Sequence, residues 1–500
     1  MKKIILSSTL LIGLAFSSCS DSFLDRYPKG RWHEQNMPES NLDQAILAEG
    51  KIQQAYGASK DWNNLWPVFA MHNYTTPEGA KGSNPSDGGG DVIAFEQMTY
   101  NPSNGLLNGF YGICYSTIYT AHEAMLFIGQ LPDDHPKKAQ YKAEVLFIRA
   151  LMYYRLTQAF GDVPYLDHIL AEGEALPTRM NINEVRSRYI QDLEAAIPFL
   201  PTRAALVASG NGGRATKNAA LAIIAKTYLY EKNWQKAKDY AQMIISSGDN
   251  DLSTPYDKIF DEESEFGPES ILEVNCEQKP SLKIYMGSMF SQMQGFRGTP
   301  DLGWGFNGPS QSLVNDFDAE HDPRKSTTVI ANGETLEGEV MNADPSSHPF
   351  FNKKAYVKKE EVAKYGRSKY DYGNWKNIRL IRYSDILLIY AEACCELGDE
   401  ANITEALAKL EMVRNRARNG NSSLLPKVTT RVQNELRQAI RKERKFELAM
   451  EFERFYDLVR WGIAKDVIPG FVVGKHELFP IPQSEIDKSE GALTQNPGYN

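Results

Sequence analysis

Cysteine is scarce. Five occur in 500 residues, and no two stand in a CxxC spacing. That excludes a disulfide framework, a zinc ribbon and a thioredoxin-like redox pair. Basic charge is short as well. The 55 Lys and Arg residues are outnumbered by 64 Asp and Glu, for a formal net charge of −9. Without a cationic surplus to neutralise phosphates, nucleic acid is not the partner. Apart from Ile4–Phe16, no apolar run approaches the length of a bilayer span. Local signatures of hydrolase chemistry are missing too. His33-Glu34, His122-Glu123 and His476-Glu477 each open like HExxH, but Met37, Leu126 and Pro480 stand where a zinc protease needs its second histidine. Neither GxSxG nor SxxK occurs.

What is present begins at the N-terminus. Lys2 and Lys3 precede the apolar run Ile4–Phe16, and Ser17, Ser18 and Cys19 follow it. This order reads as an export signal over residues 1–18. A cysteine directly after such a segment resembles the bacterial lipoprotein signal, although Phe16 replaces the usual Leu of that box. Cys19 is then the lipidated first residue and 19–40 a polar tether. The other four cysteines are expected as buried thiols.

Residues 41–500 read as one mainly α-helical domain. Helical periodicity runs through 41–60, 106–130, 136–160, 185–200, 214–247, 384–397, 402–418 and 431–464, with Asn183 as an N-cap for the fourth. Residues 214–247 read as a tetratricopeptide-like hairpin in which Ala219, Ala220, Ala222 and Ala225 allow close helix approach. Residues 248–380 break the pattern. A stretch this long is outside loop statistics, so a folded, functional insertion with short strands is expected, SILEVNC at 270–276 being the clearest strand. The aperiodic tail 478–500 should be pinned by its apolar residues.

The stretch Glu443–Gly462 stands out. It reads as one continuous helix, with Leu448, Phe452, Phe455 and Val459 on one face and Glu443, Glu447 and Glu451 on another. A carboxylate row invites a metal or acid–base reading, but no histidine accompanies it. Arg444 and Arg454 lie within a turn as partners. Burial would instead call for Arg149, Arg382 or Arg414 from neighbouring helices.

Eight blocks carry a resemblance: CSDSFLDRYPKG (19–30), IRALMYYRLTQAFGDVPYL (148–166), RATKNAALAIIAKTYLY (214–230), GWGFNGPSQSLVNDFDAEHDPR (303–324), IRYSDILLIYAEACCELGD (381–399), ALAKLEMVRNRAR (406–418), ERKFELAMEFERFYDLVRWG (443–462) and LFPIPQSEIDKSEGALTQNPGY (478–499). In content, order and spacing they resemble the SusD/RagB family of surface nutrient-binding lipoproteins. The resemblance implies tetratricopeptide-like helical repeats and a lipid anchor on the outer face of the outer membrane. It implies capture of an oligosaccharide or polysaccharide for a SusC-like TonB-dependent transporter, or of a peptide as in some relatives. It implies binding rather than catalysis, with no cofactor. A glycan hydrolase and a protein-only scaffold are the rival readings.

Glycan recognition asks for flat aromatic faces beside a few polar groups, on loops held by a rigid scaffold. Two stretches meet this description. Residues 62–91 supply Trp62, Trp66, Asn73, Tyr74 and Asp87. The irregular block supplies Arg297, Trp304, Phe306, Tyr372, Asn374 and Trp375. Gly303–Gly308 fits GxGxxG by letters, but no apolar strand precedes it, and it reads as a flexible loop displaying Trp304 and Phe306. Asp316, Asp318, Glu320 and Asp322 alternate like a calcium loop, yet His321 takes the glycine position and the closing Glu is missing; no metal is expected.

Overall fold

The computed structural model describes residues 40–58, 62–279, 284–365 and 374–499. Cys19, Tyr372 and the side chain of Trp62 lie outside what is described. Among the described residues no helix is long and apolar enough to cross a membrane.

Among the described residues, the helices that frame the molecule include α1 (Asn41–Gly57), α2 (Trp62–Phe69), α3 (Gly105–Gln130), α4 (Lys138–Phe160), α5 (Ile182–Ala196), α6 (Lys217–Tyr230), α7 (Trp234–Ser247), α8 (Tyr383–Leu397), α9 (Glu400–Arg418), α10 (Gln433–Glu447) and α11 (Arg454–Arg460). They stack as neighbours: α3 on α1 and α4, α4 on α5, α6 on α7, α7 on α8, and α8 on α9 and α10. The result is a mainly helical, tetratricopeptide-like fold with short strands. Local chemistry sets the ends. Thr216 caps α6 by accepting from the Ala219 amide at 3.0 Å, and Gly248 stops α7 at φ 66°. The cap of α5 is Asn181, two residues before the expected Asn183, whose own amide it satisfies at 3.0 Å. The alanine face of α6 is buried, with Ala219, Ala220, Ala222 and Ala225 all at 0% exposure, as close helix packing requires. Cys114, Cys276, Cys394 and Cys395 are free and buried.

The irregular block leaves this stack and returns to it. Strand β2 (Ser270–Val274) pairs antiparallel with β4 (Ile378–Arg382), so the block opens and closes beside α7 and α8, which pack on each other across the insertion. Two further strands set up the site: β1 (Gly79–Gly82) pairs antiparallel with β3 (Phe306–Pro309). The tail is pinned as its composition suggests. The Phe479 amide donates to the Ala159 carbonyl at 2.8 Å, and Asn496 Nδ2 donates to Phe160 and Phe479 carbonyls.

The stretch Glu443–Gly462 is not one helix. α10 ends at Glu447, and Met450 and Phe452 take φ of 65° and 71° before α11 begins. Left-handed backbone costs non-glycine residues about 1–2 kcal/mol each. What offsets it is visible at the Glu447 carbonyl, which accepts from Arg382 Nη2 at 3.0 Å, Lys354 Nζ at 3.2 Å and the Tyr256 hydroxyl at 3.3 Å. Three side-chain donors replace the helical amide. The carboxylates face inward as well. Glu443 meets Arg324 and Arg414, Glu447 meets Arg324, Arg382 and Arg416, and Glu451 meets Arg382 and Lys354. Arg382 and Arg414 are therefore the expected partners. Arg149 instead pairs with Asp192, Arg444 with Asp385 and Asp457, and Arg454 with Glu78. Arg324 and Lys354 come from the irregular block, so this buried charge array fastens the block to the last helices.

The calcium-like acids are each engaged by a cation: Asp316 by Lys445, Asp318 by Lys325, Glu320 by Lys442 and Asp322 by Arg324. Among the described residues no cluster of His, Cys, Asp and Glu has the arrangement of a metal site.

Candidate glycan-binding pocket

Where the segment after β1 and the irregular block meet, Asp87, Gly88, Arg297, Gly298, Asp301, Gly303, Trp304, Phe306 and Asp344 line an open cavity of about 540 Å³. Four of the sequence-predicted residues thus come together from two stretches more than two hundred positions apart.

Gly303–Pro309 is not a flexible loop. Its second half is β3, and its first half is clamped by backbone bonds from Trp304 N to Gln292 O and from Gly305 N to Gly295 O, both 2.9 Å. The glycines permit this. A Cβ on Gly303 would stand 2.6 Å from Gly295 Cα, and one on Gly82, at φ +71°, would stand 2.2 Å from the Gly305 carbonyl oxygen. Beneath the strand a buried amide chain runs from Asn73 Nδ2 to Asn307 Oδ1 (2.9 Å), and from Asn307 Nδ2 to Gln294 Oε1 (2.7 Å), which also accepts from Asn352 Nδ2 (2.7 Å). Buried amides satisfied this way specify one arrangement of the segments that carry them.

Trp304 is half-buried at the pocket, while Phe306 is 7% exposed and contributes a floor. Trp66 supports that floor from below, edge-on to Phe306 with ring centroids 4.5 Å apart. Arg297 organises the rim. Its Nη1 donates to Ser83 Oγ at 2.6 Å and to Asp87 Oδ2, and its Nε to Asp344 Oδ2 at 3.4 Å. Asp87 Oδ2 also accepts from Ser83 Oγ at 2.7 Å and the Asn84 amide at 3.3 Å. Burial pushes the Asp87 carboxyl upward, but the bonds from Ser83 and Arg297 outweigh it and hold the group below its ordinary value. Asp87 is therefore a fixed carboxylate whose Oδ1 takes no bond from a described residue, an acceptor open to a ligand hydroxyl.

The remaining predicted contacts lie elsewhere. Asn73, Trp66 and Tyr74 are 3%, 7% and 3% exposed and belong to the support, not to the ligand face. Trp375 is 3% exposed. It stacks on Tyr365 at 4.7 Å and donates to Glu361 at 3.2 Å, packed in a small apolar cluster with Phe296, Leu302, Ile330, Met341, Phe351 and Val357. Asn374 precedes it, its carbonyl accepting from the Ser288 amide at 3.0 Å, and is not among the residues that line the pocket. The corrections share one reason: Gly- and Asn-rich surroundings marked tight backbone crossings rather than exposure. Asp301 and Asp344, which complete the rim, sit in aperiodic Pro-adjacent turns, and nothing in their local sequence separates them from other turn acids.

The SusD family profile matches residues 268–470, and a second, described as starch-binding associating with outer membrane, matches 32–229. SusD-like protein P2 of Formosa agariphila is 30% identical over 431 residues, 80% of this chain and 82% of that protein. A SusD-like protein of Bacteroides ovatus is 23% identical over 490 residues, 92% of this chain and 83% of the relative. Among solved structures, a laminarin-binding SusD-like protein superposes with a TM-score of 0.75 at 26% identity, covering 91% of this chain and 99% of that one. Surface glycan-binding protein A from Bacteroides thetaiotaomicron, in complex with laminarihexaose, gives 0.75 at 23% identity, over 90% and 98%. With the fold, the sequence profiles and the full-length relatives in agreement, the chain belongs to the SusD-like family.

Proposed function

We propose that this protein is a lipid-anchored, surface-exposed nutrient-binding protein of the outer membrane. It captures an oligosaccharide or polysaccharide and passes it to a SusC-like TonB-dependent transporter. The observation that carries the reading is the half-buried Trp304 ring in a cavity of about 540 Å³ that also presents the fixed Asp87 carboxylate. An indole face packs against the C–H face of a sugar, while Asp87 and its neighbours accept from hydroxyls. Relatives described as laminarin-binding and surface glycan-binding support it. Trp304, Phe306, Asp87 and Arg297 form the proposed pocket set, with Trp62 and Tyr372 as further contacts. Anchoring through Cys19 and delivery to the transporter are part of the same proposal. The activity is binding without turnover.

Affinity electrophoresis of the mature protein against a panel of polysaccharides and oligopeptides tests this, with reducing ends assayed in parallel. The expected result is retardation by at least one glycan, no release of product, and weakening by roughly 1–3 kcal/mol, or about 5- to 150-fold, in Trp304→Ala, the range for removing an aromatic anchor. Retardation by peptides alone, product release, or an unchanged affinity in Trp304→Ala would each refute it.

A further inference from the structure

We propose that the pocket selects its glycan by charge, accepting neutral oligosaccharides and rejecting those that carry uronate or sulfate groups; this rests on the glycan-binding reading above. Three carboxylates line the cavity, Asp87, Asp301 and Asp344, against one cation, Arg297. That cation is already engaged. Its Nη1 is bonded to Ser83 and Asp87, its Nε to Asp344, and its Nη2 lies 2.7 Å from the Asn84 carboxamide. Turning the guanidinium toward a ligand anion would strip those bonds and leave Asp87 and Asp344 without their counter-charge. Lys81 does not substitute for it. The side chain is buried, with Nζ 5.7 Å from the Phe306 ring centre and donating to the Gly82, Asn84 and Asp87 carbonyls at 3.2, 2.7 and 3.1 Å.

The open positions at the rim are acceptors. Asp87 Oδ1 and both oxygens of the exposed Asp301 take no bond from a described residue, and Asp344 remains about half exposed at 48%. A sugar hydroxyl donates to such oxygens. A sugar carboxylate or sulfate ester has no proton to give there and adds like charge. The net charge of −9 opposes an anionic polymer on approach as well. Rejection therefore comes from an unmatched negative rim rather than from a clash of shape. Three carboxylates against one guanidinium leave a net of two negative charges, which within a pocket width of a ligand anion corresponds to an affinity ratio on the order of 10 at low ionic strength. The ratio should shrink as salt rises, because the Debye length falls from about 30 Å at 0.01 M to about 3 Å at 1 M.

Isothermal titration compares laminarin, starch, galactomannan and xyloglucan with the same polymers oxidised to uronates at C6. For each neutral polymer that binds, the oxidised form is expected to bind about tenfold more weakly at low salt. Asp301→Asn combined with Asp344→Asn should narrow that gap and leave the melting temperature unchanged. Equal or tighter binding of the oxidised forms to the unaltered protein overturns the charge proposal and leaves the glycan-binding reading standing. A gap that persists in a folded double variant also overturns it, because these acids would not be its source. Failure of every polymer, neutral and oxidised, overturns both.

Discussion

Replacing Glu447 by Gln tests whether the buried charge array is what holds the irregular block to the helical stack. Glu447 is fully buried. Its Oε1 meets Arg382 at 3.0 Å and Arg416 at 2.6 Å, and its Oε2 meets Arg324 at 3.1 Å. Burial alone would raise its pKa; Arg416, Arg382 and Arg324 reverse that and hold it far below the ordinary 4.5. Gln keeps the shape, removes the charge and turns one acceptor into a donor facing a guanidinium. Deleting one member of a buried ion pair costs about 3–5 kcal/mol. Glu269, Glu443, Glu451 and Asp322 still pair the three arginines, so about 3 kcal/mol is expected, at the lower end of that range. Unfolding entropy near 2.1 cal/mol/K per residue, over roughly 450 residues, gives about 1 kcal/mol per degree and a melting shift of about 3 °C. Differential scanning calorimetry and urea titration at pH 7 read it. Glu320→Gln is the control: its partner is the exposed Lys442, and such surface pairs contribute about 0–1 kcal/mol. The sign with pH is fixed. A carboxylate held below its unfolded pKa contributes fully above about 4.5 and loses that contribution as pH falls toward the depressed folded value. The gap between wild type and Glu447→Gln should therefore close in acid. A loss at pH 7 no larger than that of Glu320→Gln would refute the reasoning.

Trp375→Ala should destabilise by about 3–5 kcal/mol, the range for emptying a buried aromatic site, with glycan affinity at low temperature unchanged; chemical denaturation paired with titration calorimetry separates the two. His72 is buried between Tyr456 and the Phe452 carbonyl, and burial, reinforced by Arg155, lowers its pKa from 6.5 to about 3. The unfolded chain binds the proton first, so stability falls as pH drops from 6.5 toward 3, and His72→Gln should make the urea midpoint less steep over that window. Gly82→Ala puts a Cβ 2.2 Å from the Gly305 oxygen at φ +71°, so it should displace β3, lower the melting temperature and weaken glycan binding together; loss of neither would show that the crossing is not rigid.

The helical stack was legible because periodicity and alanine faces are local properties. Gly248 marks the end of α7 by chemistry confined to a few residues, and the strand at Ser270–Val274 follows from a short apolar, β-branched run. The break after Glu447 was not legible. The sequence there is helical in period and contains no glycine or proline, and what interrupts it is a set of donors, Arg382, Lys354 and Tyr256, supplied from remote positions. The same distinction governs the pocket. Sequence placed aromatic and polar residues in two Gly-rich stretches, and Asp87, Arg297, Trp304 and Phe306 do converge. Whether a ring faces a ligand or a core depends on which backbone crosses over it: Trp304 stands at the cavity mouth, whereas Trp66 lies under Phe306 and Trp375 under Tyr365. The sequence by itself determined the helix-forming segments and the acidic balance, since each is written in composition and short-range spacing. Only the tertiary structure decided that the Glu443–Glu451 carboxylates are spent on buried arginines and that the open carboxylates are Asp87, Asp301 and Asp344. Charge partners are chosen by distance in space, which spacing along the chain does not encode.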